Sequence, residues 1–279
     1  MNVEPARRDE FLALMADTYG TAMQEADFDW WFDQNPAGPR ILNLAREEDG
    51  TPLGALAMSF ARFSNGLAAF AVHAVTTPAA RGRGVFSTLE LHNEEQAAAA
   101  GAGWGLGFTN PMAGPILVGK LGWEDVCSLR VWVRPKRLRR RGEGRLHTTH
   151  ASAGQARSLD GLHIVRDRAY LDWRYVASPR AYARVGDVVV THAVWHGFSS
   201  AIVCETGTAG ELRRAVGLVD ADVAVALVNP GEERTYLAAG FVPSPRTIRF
   251  IGKRLTEEAP PLPKSRRAWS LYLGDLDFF

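Results

Sequence analysis

AVHAVTTPAARGRGVFSTLELHNEEQAAAAG, residues 71–101 of a 279-residue chain, is the stretch on which the fold turns. An alanine- and valine-rich run holding Val72, Ala74 and Val75 ends at Thr76, Thr77 and Pro78. Arg81-Gly82-Arg83-Gly84 follows, and helix-like apolar spacing runs from Val85 to Leu89. That order predicts a strand, a glycine-punctuated turn and a helix. Gly82 and Gly84 let the backbone turn sharply and approach a ligand, and the free N–H groups of a helix start are donors for an anion. The segment reads as a phosphate cradle. It is not a P-loop, because no Lys-Ser/Thr pair follows the second glycine, and no G-x-G-x-x-G follows the strand.

The order resembles motif A of the GNAT superfamily of N-acetyltransferases, Gln/Arg-x-x-Gly-x-Gly/Ala after a strand with a proline shortly before. Pro78, Arg81 and Gly84 match, while Phe86 stands where the family usually has a small residue. Downstream, the helix-forming EEQAAAAG leads to an apolar strand from Trp104 to Phe108, then to Asn110-Pro111 and LVGKLGWEDV. In that family a strand splays here and a helix ends in a Gly-aromatic pair, which Asn110 and Gly122-Trp123 fit. The resemblance covers roughly residues 5–135. It implies acetyl-CoA or another short acyl-CoA as co-substrate, held by Val75, Thr76, Arg81, Gly82, Arg83, Gly84, Val85 and Phe86.

A second pattern is internal repetition. FDWWFDQNP at 28–36 returns as LDWRYVASP at 171–179, and FTNPMAGPILVGKLGW at 108–123 is echoed by LVNPGEERTYLAAGF at 227–241. Two copies of one fold are expected: an α/β (α+β) protein with tandem GNAT-like domains, each a mixed, mostly antiparallel sheet flanked by helices. The expected boundaries are 1–135, a basic and polar linker at 136–158, and 159–279. The second copy has no equivalent of ARGRGVF. Its GTAGEL reads as a turn and helix start with Thr208 as cap, so only the first copy is expected to bind acyl-CoA.

Composition agrees. The apolar fraction is 46% and the formal net charge +1, enough for buried cores and against a protein built around nucleic acid or a membrane surface. The arginine- and lysine-rich run from Arg134 to Arg141 reads as a solvated linker. No run of eighteen apolar residues occurs and the first residues lack a signal-peptide core, so a cytoplasmic protein is expected. Cys127 and Cys204 form no C-x-x-C and read as buried thiols. His147 and His150 lack partners at metal spacing, and no metal is expected. A monomer is mildly preferred, since tandem halves substitute for a dimer.

The chemistry sets the remaining candidates. An alkylamine of pKa about 10 carries a deprotonation deficit of roughly 4 kcal/mol at pH 7. His73, in the strand before the cradle, suits proton transfer, although alternation also allows it to point into a core. Asn110 is the second catalytic candidate, with a turn role as the alternative. Many family members protonate the departing thiolate with a tyrosine four residues before the Gly-aromatic pair. That position is Val118 here, and Tyr236 in the second copy. Glu25, Asp27, Asp29 and Asp33 make an acidic cluster for an amine, and Asp27 and Trp31, which do not recur, are the acceptor-binding candidates. Asp29 and Trp30 recur and read as cap and core. The chain's end, with Asp275 and Asp277, reads as a closing strand. The expected activity is acyl transfer from acyl-CoA to a primary amine of a small molecule by direct attack, the alternative being a noncatalytic acyl-CoA sensor or assembly protein.

Overall fold

The computed structural model describes residues 1–21, 23–109, 111–136, 146 and 158–276. The strands are β1 (Asn2–Pro5), β2 (Ile41–Arg46), β3 (Pro52–Phe63), β4 (Gly66–Thr76), β5 (Trp104–Thr109), β6 (Glu124–Pro135), β7 (Tyr182–Val185), β8 (Val188–Trp195), β9 (Phe198–Glu205), β10 (Val223–Leu227) and β11 (Val242–Arg254). The helices are α1 (Arg8–Tyr19), α2 (Glu25–Phe28), α3 (Val85–Ala99), α4 (Gly114–Lys120), α5 (Arg168–Leu171), α6 (Ala209–Gly217) and α7 (Glu233–Ala238). They form two compact units, Met1–Val126 with Phe250–Lys264, and Cys127–Arg249 with Ser265–Phe279. Each unit therefore incorporates a strand segment from the other half of the sequence.

In the first unit, β1 to β4 pair antiparallel in sequence order and β5 joins β4 in parallel. The C-terminal part of β11 borders β5. In the second, β6 pairs antiparallel with β10, β10 runs parallel to β9, and β9, β8 and β7 continue antiparallel. A mixed, mostly antiparallel sheet flanked by helices, as the sequence suggested, is present in each unit.

Helix α3 packs on β2, β3 and β4 through two apolar clusters, one of Ile41, Met58, Phe60, Ala69 and Ala97, the other of Leu53, Leu56, Ala80, Val85 and Leu89. Gly54 of β3 makes this approach close. A Cβ there would lie 2.6 Å from the Val75 carbonyl oxygen and 2.9 Å from Val85 Cγ1. On the opposite face, Phe11, Phe28 and Phe32 stack in tilted pairs 5.9 and 4.8 Å apart, each buried aromatic contributing roughly 1.5–3 kcal/mol.

The repeat has a common backbone form. Asp29–Asp33 and Asp172–Val176 are both single π-helical turns, closed by bonds from the Gln34 amide to the Asp29 carbonyl at 2.9 Å and from the Ala177 amide to the Asp172 carbonyl at 2.8 Å. Trp30 and Trp173 are buried, as expected of core residues. Asp29 ends α2 rather than capping a helix start with its side chain. Its carboxylate receives two bonds from the Arg8 guanidinium, at 2.8 and 3.0 Å. Gly122 and Gly240, the second pair of echoes, both have left-handed backbones, the conformation that ends a helix without a Cβ penalty.

Candidate active site

The strand, glycine-punctuated turn and helix read from the sequence are all present. From Thr76 the chain passes through a 3-10 turn, Pro78–Ala80, into Arg81-Gly82-Arg83-Gly84 and then α3. Gly82 and Gly84 have φ of +79° and +80°, and a Cβ on either would meet nothing within 4 Å, so left-handed geometry rather than crowding calls for glycine at both. Gly84 is the residue before α3, and no side chain caps the helix. The N–H groups of its first turn are thus left to a ligand or water. Arg81 is exposed. Arg83 pairs with Glu47 at 2.5 Å. Val75 and Val85 are buried in side chain, so backbone groups are what they offer, whereas Thr76 and Phe86 are half-buried.

Beside the cradle the sheet opens. β4 and β5 pair only through Ala68↔Trp104, Ala69↔Gly105 and Phe70↔Leu106, yet β4 runs on to Thr76 and β5 to Thr109. From Ala71 onward the two strands diverge as a wedge. The same stretch of β4 is bulged. Leu56 pairs with Ala74 and Met58 with Ala71, which sets Val72 and His73 opposite the single residue Ala57. A bulge re-aims a side chain, and the His73 ring lies edge-on to Phe32 at 6.0 Å. The π-helical turn and the bulged strand are thereby brought together. Asn110 lies outside the described residues, as do His147, His150, Asp277 and most of the basic linker.

The acidic cluster is largely offset by cations. Arg8 pairs with Asp29 at 2.8 Å and Glu25 at 3.2 Å, and Arg40 pairs with Asp33. Three of the four carboxylates of the cluster, Glu25, Asp29 and Asp33, thus have a local cation. Asp27 is half-buried on α2. Trp31 is 7% exposed, its ring edge-to-face with Trp30 at 5.3 Å.

Val118, on α4, is half-buried in an apolar cluster with Leu117, Leu121, Trp123 and Ile251, joined by Ala71 of β4 and Phe86 of α3. Tyr236 is fully buried against Phe241 at 5.3 Å.

In the second unit the equivalent features are filled by the chain itself. Thr208 caps α6 as the sequence indicated, and its amide donates to Glu211 Oε2 at 2.8 Å. A carboxylate thus occupies the helix start. β9 and β10 also pair over only three positions, but the C-terminal segment crosses there. The Leu271 amide donates to Asn229 Oδ1 at 2.8 Å, and a Cβ on Gly274 would lie 2.6 Å from the Cys204 carbonyl oxygen. The last described stretch is a 3-10 turn, Leu273–Asp275, where the sequence suggested a closing strand, and Asp277, Phe278 and Phe279 lie outside the described residues. Asp275 anchors it by accepting two bonds from Arg166, at 2.7 and 2.8 Å, and a backbone held by side chains in this way forms no ladder.

Among the described residues no group of three or more His, Cys, Asp or Glu side chains is arranged to hold a metal ion, and no helix is long and apolar enough to cross a membrane. Cys204 is buried and Cys127 half-buried, both free.

Comparison with known proteins places this geometry. No protein-family model matches the sequence, and no curated protein is similar to it in sequence. Solved structures are similar in fold. A GCN5-related N-acetyltransferase from Kribbella flavida aligns with a TM-score of 0.59 at 15% identity, over 91% of this chain and 72% of that one. A GCN5-related N-acetyltransferase from Anabaena variabilis aligns at 0.59 and 10% identity, over 91% and 73%. Eis1 from Mycobacterium abscessus aligns at 0.55 and 12% identity, over 91% and 74%. The fold is that of the GCN5-related N-acetyltransferases.

Proposed function

We propose that the chain is an acyl-CoA-dependent N-acyltransferase that moves an acetyl or similarly short acyl group to a primary amine of a small molecule. The observation that carries this reading is the contrast between the two helix starts. In the first unit α3 follows two left-handed glycines with no side chain over its amides, beside a wedge in the sheet, whereas in the second α6 is closed by its own glutamate. An anion-binding helix start next to two strands whose mutual ladder ends at Phe70 and Leu106 suits a ligand with a phosphate at one end and an amide-bearing chain at the other. A pyrophosphate would lie on the amides after Gly84 with Arg81 beside it, and the chain's amides would pair with β4 beyond Phe70.

In this reading His73, aimed by the bulge toward Phe32, accepts the proton that the attacking amine releases, and Asp27 and Trp31 belong to the acceptor side. Attack within a ternary complex requires no covalent enzyme intermediate. The protein works as a monomer in the cytoplasm.

Calorimetric titration with acetyl-CoA tests it, run beside Arg81→Ala and Gly84→Glu. Micromolar binding by the wild type that Gly84→Glu abolishes, followed by thiol release with one of a panel of primary amines, is the expected result. Absence of binding to the wild type overturns the reading, and binding without thiol release across the panel leaves a sensor in its place.

A further inference from the structure

Phe86, Glu90 and Glu94 are spaced four apart on α3 and so share one face. The outer two have visible tasks. Phe86 packs against the cluster of Leu117, Leu121, Trp123 and Ile251. Glu94 accepts the Trp123 indole N–H at 2.6 Å and the Lys253 ammonium at 2.5 Å. Glu90, between them, is fully buried, and neither of its oxygens meets a hydrogen-bond partner among the described residues. The ionisable groups bearing on it are Glu94 on its own helix and Lys253 on β11. Burial is the largest influence, Glu94 adds to it and Lys253 opposes it, and together they push the carboxyl up to about 8. At neutral pH it is a carboxylic acid with a proton to give and nothing to give it to. A packing role alone needs no such group, since a buried polar side chain without a partner is costly.

Its neighbours locate it. Phe86 and Ala71 join the same apolar cluster, and Ala71 is the first β4 residue beyond the last β4–β5 pair. Trp123 lies over the other side of the wedge, 3.1 Å from where a Cβ of Gly105 would be and 3.5 Å from one of Gly107. The face of α3 that carries Glu90 is therefore turned to the apex of the wedge. A linear ligand running from the amides after Gly84 to that apex passes Phe86, the first residue of the stripe.

We infer that Glu90 is the acid that protonates the departing thiolate, and that Phe86 is the cover an incoming acyl-CoA displaces to reach it. The inference rests on the acyl-CoA reading above. The amine nitrogen bonds to the thioester carbonyl carbon, the C–S bond breaks with its electron pair on sulfur, and the sulfur takes the Glu90 proton. The proton lost by the amine passes to His73. When the thiol leaves, His73 gives the amine's proton up to water and Glu90 regains one from water, so that both side chains are restored and amine and thioester have become amide and thiol. Val118 of α4, in the same apolar cluster as Phe86, offers no proton, and Glu90 supplies one from α3.

The test combines infrared spectroscopy, calorimetry and rates on wild type, Glu90→Gln and Phe86→Ala. The wild type is expected to show a protonated-carboxyl band that Glu90→Gln removes and that acetyl-CoA shifts. Glu90→Gln should bind acetyl-CoA with wild-type affinity, release thiol about 100-fold more slowly, and lose the alkaline limb of the kcat profile near pH 8. Phe86→Ala should bind acetyl-CoA more tightly. A carboxyl band indifferent to acetyl-CoA, or a Glu90→Gln variant with wild-type kcat and pH profile, overturns the assignment while leaving the acyl-CoA reading intact. Failure of the wild type to bind acetyl-CoA in the calorimeter overturns both.

Discussion

Glu211 turns its carboxylate back onto Thr208, accepting the Thr208 amide at 2.8 Å while the Thr208 hydroxyl accepts the Glu211 amide at 3.3 Å. The pair closes a helix start that would otherwise attract an anion. Thr208→Ala should lower stability by about 1 kcal/mol and leave acetyl-CoA affinity unchanged. Hydrogen bonds from Thr208 hold the Glu211 carboxyl below its ordinary value. This contribution is therefore present above the unfolded-state value and is lost as pH falls through the folded-state one. Urea denaturation at neutral and acid pH, with calorimetry on the same variant, checks both parts. A loss of acetyl-CoA binding in Thr208→Ala would place a ligand at the second helix and contradict the assignment.

Arg166 is buried with both of its carboxylate partners, Glu205 at 3.1 Å and Asp275 at 2.7 Å. Removing the cation leaves two carboxylates buried without it. Arg166→Met should cost about 3–5 kcal/mol and release the C-terminal segment from Cys204. Denaturation midpoints together with proteolysis near residue 276 would detect this, and an unchanged midpoint would mean that the segment is held by its apolar contacts alone.

Glu90 also makes stability depend on pH, whatever its catalytic role. Its folded-state value, about 8, lies above the ordinary 4.5, so the native state binds the extra proton between those limits. Stability then falls as pH rises across that window, by an amount on the order of a few kcal/mol. Glu90→Gln keeps the shape without the ionisation and should flatten the decline, matching the wild type near pH 5 and exceeding it near pH 9. Parallel declines in both proteins would assign the effect elsewhere.

The glycine turn and the repeat were legible because both are local. Arg81 to Gly84 must turn in a short space, and Asp29 and Asp172 head segments of equal spacing that fold into equal π-helical turns. The exchange of strand segments was not legible. Both β6 and β11 are long strands, and which sheet each completes is decided by distant partners such as Val225 opposite Val133. The filling of the second wedge was hidden for the same reason, since the contact between Gly274 and Cys204 joins residues seventy positions apart. Glu90 stood in the quoted stretch, and its spacing from Phe86 and Glu94 was visible. Its lack of a partner follows only from what packs around it.

Gly54 tests whether the cradle depends on the distance between α3 and the sheet. It pairs with Thr76, the last residue of β4, and its missing side chain lets Val85, the first residue of α3, rest on the strand. An alanine there must push aside the Val75 carbonyl, which is backbone, as well as the Val85 methyl. Neither moves without shifting the turn that joins β4 to α3. Gly54→Ala should therefore cost about 1–3 kcal/mol and weaken acetyl-CoA binding at the same time. Gly119→Ala on α4, where a Cβ would meet nothing within 4 Å, should leave affinity unchanged. Denaturation and calorimetry on the two variants separate the outcomes. If Gly54→Ala loses stability but keeps its affinity, the turn adjusts independently of the packing beneath it, and the spacing between helix and strand does not set the geometry of the anion site.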